Sequence, residues 1–210
     1  MLYSIAAGHR SAGLRHNPIN ALVAPRPIGW VSTVDREGRP NLAPFSYFNL
    51  VSSDPPVVMF SPNEKEQHGT PKDTLRNVRE TGEFVANIVP WRLRHAMNVT
   101  STVLAHGESE FKLAGLTEVA SALVRPPRVG ESPAALECRL LQIVDLPVNS
   151  DGRRYHVVLG QVVAVHIDDA VITDGIVDTL KIAPLARMGG SDYTHVERRE
   201  RIPRPPGGSS

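Results

Sequence analysis

Trp30-Val31-Ser32-Thr33-Val34-Asp35-Arg36-Glu37-Gly38-Arg39-Pro40-Asn41-Leu42-Ala43-Pro44-Phe45 is the stretch that decides the fold of this 210-residue chain. Val31 to Val34 is rich in β-branched residues and reads as a strand. The polar run from Asp35 to Pro40 follows as a hairpin loop, with Gly38 at the position that needs a positive φ. A second strand is predicted from about Asn41 through Phe45, Tyr47 and Leu50. Asp54-Pro55-Pro56 stops it, because neither proline has an N–H to give to a ladder. Val57 to Phe60 then resumes as a short apolar strand of the buried kind.

Further along, Thr70-Pro71-Lys72-Asp73 carries the marks of a helix start. Thr70 suits the N-cap, Pro71 the first helical position, and Asp73 stands where a capping box places a carboxylate. Leu75 and Val78 give this helix an apolar stripe, and Gly82 ends it. The pattern predicts a strand over Phe84 to Val89 and a second helix over Trp91 to Thr100, with Leu93 and Met97 inward and Trp91 a further candidate. Val119 to Val124 is a candidate strand in the weakly patterned stretch from Glu108 to Pro127. Leu136 to Leu146 alternates in part, with Leu136, Cys138, Leu140, Val144 and Leu146 on one face. Tyr155 to Ile167 alternates better, Val157, Leu159, Val163, Val165 and Ile167 sharing one side. Many short strands and two helices predict a mostly β fold, a barrel or sandwich with helical inserts. The repeated strand–helix alternation of a doubly wound parallel sheet is missing.

Composition narrows the function. Hydrophobic residues make up 41% of the chain, enough for a folded core. With 23 basic and 22 acidic side chains the formal net charge is +1, so no global field draws in nucleic acid or an anionic membrane. No run approaches the ~20 apolar residues of a membrane span. Met1 to Leu14 lacks the charged start, apolar stretch and cleavage-like site of a signal peptide. Cys138, the single cysteine, forbids an intramolecular disulfide and suits a reducing compartment. A cytoplasmic protein is expected, with neither nucleic acid nor membrane as partner.

Several chemistries lack their residues. None of the 8 histidines pairs with another, or with Cys138, at metal-ligand spacing, so no metal is expected. No Gly-x-Ser-x-Gly elbow, Gly-x-Gly-x-x-Gly turn or Walker-type loop is present. The best local anion site is the helix start from Thr70 to Thr74, where free N–H groups meet the positive dipole end. Lys72 adds a charge there and Thr74 a hydroxyl, although an ordinary cap beside a solvated lysine has the same sequence. Trp30, approached by the stiff run Pro25-Arg26-Pro27-Ile28-Gly29, fits either a core indole or a ligand wall. Pro44 interrupts the ladder of its strand and marks an edge, a bulge or a ligand wall. Arg187-Met188-Gly189-Gly190 suits a plain turn or a loop closing over an anionic or carbonyl-bearing ligand. Cys138 reads as core.

Taken in order, Pro25 to Thr33, Asn41-Leu42-Ala43-Pro44-Phe45-Ser46, Asp54-Pro55-Pro56, and Lys72-Asp73-Thr74 with Asn77 resemble the flavin reductase-like, FMN-binding split-barrel family. Arg187, Gly189, Gly190 and Tyr193 are similar to an Arg-x-Gly-Gly stretch and a Tyr in its flavoredoxin branch. The resemblance runs from about residue 17 to residue 195. It divides the chain into an N-terminal extension (1–16), one split-barrel domain (17–195) and a flexible tail (196–210) rich in Arg, Pro, Gly and Ser.

The resemblance implies a six-stranded Greek-key barrel, a homodimer, and one FMN per subunit near the interface, with FAD as the alternative. Ala43, Pro44, Phe45 and Ser46 would line the isoalloxazine and ribityl chain, and Ser61 and Asn63 would reach the ribityl or phosphate. Lys72, Asp73, Thr74 and Asn77 would form the phosphate end, and Trp30 would stand at the ring's edge, with Tyr193 a further cofactor contact. Family members often carry Gly-Asp-His where this chain has Arg154-Tyr155-His156. His156 and Arg187 are the candidates for positioning substrate or stabilising reduced-flavin charge. The implied reaction is hydride transfer from NAD(P)H C4 to flavin N5, serving a flavin-dependent monooxygenase or another redox partner. Two alternatives stay open, a flavoredoxin-like electron carrier with permanently bound FMN and a non-redox cofactor-binding barrel.

Overall fold

The computed structural model describes residues 1–65, 73–105 and 108–205. Its strands are β1 (Arg26–Pro27), β2 (Gly29–Val34), β3 (Pro40–Phe45), β4 (Phe48–Ser53), β5 (Pro56–Phe60), β6 (Asn63–Lys65), β7 (Glu83–Ile88), β8 (Glu118–Val119), β9 (Arg128–Val129), β10 (Ala134–Val148), β11 (Arg153–Ile167), β12 (Ile172–Thr173), β13 (Ile176–Val177), β14 (Leu185–Arg187) and β15 (Tyr193–His195). Its α-helices are α1 (Ile19–Leu22), α2 (Asp73–Thr81), α3 (Arg94–Val99), α4 (Glu110–Ala114) and α5 (Thr179–Ile182). No helix of the described residues is long and apolar enough to cross a membrane.

One antiparallel sheet dominates, in the order β3-β2-β7-β10-β11-β5-β4, with β6 also paired to β11. Both β5 and β6 lie along β11, at Phe60↔Val158 and Asn63↔Tyr155, so they are one strand interrupted at Ser61-Pro62. Likewise β3 and β4 are one stretch bent at Ser46-Tyr47; β3 pairs with β2 on one edge and β4 with β5 on the other. Joined in this way, the segments make six long strands around a barrel. Strand β7, after the connection through α2, lies beside β2 and not beside β5, which is the Greek-key return. The expected mostly β, six-stranded split barrel is therefore the architecture of the chain.

The hairpin loop forms as read: Gly38 has φ 85° and its N–H donates to Asp35 O (3.1 Å). The single strand expected from Asn41 to Leu50 is instead broken at Ser46-Tyr47, where the chain crosses from one barrel edge to the other. The barrel interior holds Val31, Phe45, Phe48, Val58, Phe60, Phe84, Cys138 and Val158, and Leu75 and Val78 of α2 pack against the same cluster. α2 ends at Gly82, as expected, with the Gly82 N–H on Val78 O (3.0 Å).

Register corrects two readings. On β10 the expected face of Leu136, Cys138, Leu140, Val144 and Leu146 does not stay together. The register shifts between Leu140 and Gln142, and an extra residue in a strand reverses every side chain beyond it. Ile143 then turns to the core, while Val144 and Leu146 are exposed. On β11 the expected odd-numbered face does not stay together either, because Val163 is an extra residue between the pairs Glu137↔Ala164 and Cys138↔Val162. Val158, Gly160 and Val162 of the other set face the barrel, and Val165 and Ile167 are exposed.

A second core lies outside the barrel. Ile28, Trp30, Leu42, Val89, Met97, Phe111, Val129 and Leu185 are packed there under α3, α4 and the small sheet β1-β14-β15. The helix expected over Trp91 to Thr100 divides into a 3-10 turn (Trp91–Leu93) and α3. The candidate strand Val119 to Val124 is cut to β8. From Ser121 the chain turns away, with Ser121 Oγ donating to Pro126 O (2.6 Å) and the N–H groups of Ala122 and Leu123 on the buried Glu137 carboxylate (2.6 Å each).

Candidate functional site

Four polar side chains meet where α2 begins beside β2 and β3. Asn41 Nδ2 donates to Thr74 Oγ1 (2.9 Å), and Asn77 Nδ2 donates to Thr33 Oγ1 (3.1 Å). All four are buried, with exposures between 0% and 8%. Placing so many polar groups out of water costs stability unless each is bonded. Yet Asn77 Oδ1 meets no hydrogen-bond partner among the described residues. The Thr33 hydroxyl can donate as well as accept, so the amide can turn over and present N–H donors at the unmet position.

Around this quartet the charges are arranged in pairs. Asp73 bonds Arg76, and Asp35 takes the Arg39 Nε–H (2.6 Å). Glu110 Oε2 accepts the Leu42 N–H (3.0 Å). Burial pushes the Glu110 carboxyl above its ordinary range, and the negative charge of Asp73 adds to this, outweighing the Leu42 N–H. Lys72, with Thr70 and Pro71, lies outside the described residues.

β3 is an edge strand, which resolves the reading of Pro44. The Leu42 N–H points away from β2 toward Glu110, so Pro44, two residues on, also faces outward, where no ladder bond is lost. Ala43 and Phe45 point the other way. Ala43 packs on the barrel core, and the Phe45 ring is 7% exposed and packed against Phe60 (centroids 5.0 Å). Phe45 can therefore meet a ligand mainly through its backbone. Half-buried Ser46 follows, and the Ser61 N–H donates to Tyr47 O (2.8 Å), which holds the Ser61–Asn63 loop against the β3–β4 bend. The structure thus brings Ser46, Ser61 and Asn63 together at one end of β3 and Asp73, Thr74 and Asn77 at the other. Five residues at ~3.4 Å each separate the ends by about 17 Å, which suits an elongated ligand.

The remaining candidates lie elsewhere. Trp30 is 0% exposed in the outer core, and its Nε1–H donates to Thr100 Oγ1 (2.8 Å). An indole so enclosed has no face to offer a ring, so Trp30 is a core residue and not the ring-edge contact expected from the sequence. His156 is 1% exposed, with Nδ1 2.8 Å from Asp145 Oδ1 and 3.5 Å from an Arg79 amine. Its hydrogen bond to Asp145 holds that carboxyl below the ordinary range. Arg187 and Tyr193 form a pair on the β14–β15 hairpin, the guanidinium 4.5 Å over the ring and bonded to the phenol. They sit with Trp91 and Arg94 and belong to another concavity.

Sequence reasoning missed Thr33, Asn41 and Glu110. For Asn41 a signal existed, a polar residue opening an apolar strand. Thr33 closes the Pro25 to Thr33 stretch that carries the family resemblance but was given no role there, and Glu110 gave no signal, since its role depends on contact with β3. The set at hand fits a flavin: hydroxyl and amide donors, the positive end of α2, and a long edge strand with Pro44 outward. The unmet Asn77 amide edge is the feature that asks for a ligand.

A family model described as flavin reductase like domain matches residues 23–184. Nitrilotriacetate monooxygenase component B from Bacillus cereus is 30% identical, with a TM-score of 0.84, over 96% of this chain and 98% of its own. The 2-nitrobenzoate 2-nitroreductase of Pseudomonas fluorescens is 27% identical, with a TM-score of 0.82, over 100% of this chain and 99% of its own. Flavoredoxin of Desulfovibrio vulgaris (Miyazaki F) is 23% identical, with a TM-score of 0.73, over 99% and 98%, a likeness in fold.

Proposed function

Since the chain belongs to the flavin reductase-like domain family, we propose that it is a flavin-dependent oxidoreductase, an NAD(P)H-dependent flavin reductase that binds FMN in preference to FAD. The observation that carries this reading is the buried quartet Thr33, Asn41, Thr74 and Asn77 at the start of α2, with one amide edge unmet. A bound flavin supplies the hydride chemistry. The residues of the chain supply the rest. Thr74, Asn77 and Lys72, with the N–H groups opening α2, hold the phosphate end. Pro44, Ser46, Ser61, Asn63 and the backbone at Ala43 and Phe45 seat the remainder. Arg187 and His156 act at one remove as positioning residues, His156 through Asp145.

A homodimer is part of the proposal. Leu141, Val144, Leu146 and Val148 leave apolar side chains exposed along the loop half of the long β10–β11 hairpin, a surface of the kind that marks an interface. The B. cereus protein is named as a monooxygenase component, and by analogy reduced flavin from this chain would serve a flavin-dependent monooxygenase or another redox partner in the cytoplasm.

A second reading, an electron carrier with permanently bound FMN, is favoured by one observation. The histidine that would meet nicotinamide is buried, beside Arg154 and Tyr155 where relatives often carry Gly-Asp. One experiment separates the readings: an absorbance spectrum of the purified protein, followed by anaerobic NADH and NADPH. Rapid bleaching of flavin, with NAD(P)H oxidation that scales with added FMN, supports the reductase. A yellow protein that barely oxidises NAD(P)H supports the carrier. A colourless protein that gains no flavin absorbance overturns both.

A further inference from the structure

A second concavity lies on the outer face, between α3 and the β14–β15 hairpin. It is an open cleft of about 700 Å³ whose main walls are Trp91, Arg94, His95, Asn98, Arg187 and Tyr193. Each arginine is held over an aromatic ring, Arg94 at 4.6 Å from the Trp91 centroid and Arg187 at 4.5 Å from that of Tyr193. Their other bonds go to uncharged oxygens. Arg94 Nη1 donates to Trp91 O (3.1 Å), Arg187 Nε to Gly190 O (3.0 Å), and Arg187 Nη1 to the Tyr193 hydroxyl. His195 stacks on Trp91 at 4.4 Å and stiffens that wall.

Neither guanidinium has a carboxylate within ion-pair distance among the described residues. A fully exposed arginine needs none, but these two are half-buried and fixed by stacking and backbone bonds. Of the residues lining the cleft only Asp192 is acidic, and it is exposed. Two cations therefore face a shared space with too little negative charge, and each is joined to an aromatic surface. Carboxylates match the planar fork of a guanidinium, and flat rings match the walls.

We propose that this cleft binds an aromatic carboxylate, a flat ring carrying one carboxyl group, with the carboxylate on Arg94 and Arg187 and the ring against Trp91 and Tyr193. Trp91 and Tyr193 stay part-exposed and line the cleft beside the cations that cover their faces, and this apolar margin selects a ring-bearing carboxylate over a bare inorganic anion. The cleft also adjoins the candidate flavin wall. Arg26 lies 5.9 Å over the Tyr47 ring, donates from Nη2 to Met188 O (2.9 Å), and pairs in register with Arg187. The proposal does not rest on the flavin reading, and its test reads the two separately.

The chain has 2 tryptophans; Trp30 is enclosed in the core and Trp91 is half-exposed in the cleft, so emission reports on ligand there. Titration of the full-length protein with benzoate is expected to change this emission saturably, with a matching heat by calorimetry. Trp91→Phe removes the optical signal, and Arg94→Gln weakens binding about tenfold or more while the melting temperature holds. Cyclohexanecarboxylate and inorganic phosphate, at equal ionic strength, bind more weakly than benzoate. An absence of saturable heat and emission change, or an equal dissociation constant in Arg94→Gln, overturns the proposal. Preference for AMP or NADH over benzoate also overturns it and gives the cleft to a nucleotide. The flavin spectrum recorded on the same samples shows whether flavin binding stands or falls independently.

Discussion

The ring of Phe84 lies where a side chain at position 160 would have to stand. A Cβ placed on Gly160 falls 2.3 Å from Phe84 Cζ and 3.3 Å from Cys138 Cβ. Phe84 is 0% exposed and packed edge-on against Phe60 at 5.1 Å, so it has nowhere to retreat. The glycine is what lets an aromatic ring fill the barrel at this level.

Gly160→Ala is therefore expected to overpack the barrel and cost about 1–3 kcal/mol. Thermal unfolding reads this as a melting temperature lower by several degrees, and Phe84→Leu in the same chain should restore part of it. A variant that melts with the parent would mean that the ring has room the packing does not show.

Glu137 supports a second prediction. It is 0% exposed, and its oxygens accept the N–H groups of Ala122 and Leu123 and bond His166 Nε2. Burial pushes its pKa up, but those bonds outweigh it and leave the carboxyl below the ordinary glutamate range. A carboxyl lowered by folding stabilises the fold fully above its unfolded pKa, about 4.3, and this contribution fades as pH falls through the lower folded value. Glu137→Gln turns an N–H donor toward a backbone N–H and should cost about 2–3 kcal/mol at neutral pH. Denaturant melts at pH 7 and pH 4 test both arms. The gap between parent and variant should narrow as the acid end is approached, and a constant gap would contradict this assignment.

Cys138 is 0% exposed, and burial, with the neighbouring Glu137 charge, raises its thiol pKa well above the usual value. Only the thiolate attacks a disulfide reagent, so the folded protein should be unreactive toward Ellman's reagent. One thiol should appear on unfolding, at the rate of opening. Prompt reaction without denaturant would place Cys138 nearer the surface.

These residues also show what the sequence alone could carry. Strand identity was legible at Val31 to Val34 and Val57 to Phe60, because β-branched and apolar runs need only local rules. The inward face of β10 was not, because one register shift near Leu141 reverses alternation and leaves no mark in composition. On β11 the longer apolar residues drew the eye, while the barrel took Val158 and Gly160, since close approach of Phe84 rewards a missing side chain. The proposed anion-binding end was legible as helix-start chemistry at Thr74. Its partners Thr33 and Asn41 come from a hairpin over thirty residues earlier, and only tertiary packing joins them. Trp30 had two open readings, and the hydrogen bond to Thr100 decides for core.

The last prediction separates a phosphate site from a general flavin cleft. On the proposed reading Lys72 makes a charge-assisted bond to the phosphate, worth about 1.5–3 kcal/mol, or roughly 10- to 150-fold in affinity. Riboflavin has the same ring and ribityl chain but no phosphate. Lys72→Ala should therefore raise the dissociation constant for FMN by that factor and leave that for riboflavin nearly unchanged, measured by flavin fluorescence quenching. Rising salt should shrink the FMN difference, because the lost interaction is between charges. Equal weakening of both ligands would instead point to a disturbed cleft, and equal retention of both would put the phosphate away from the start of α2.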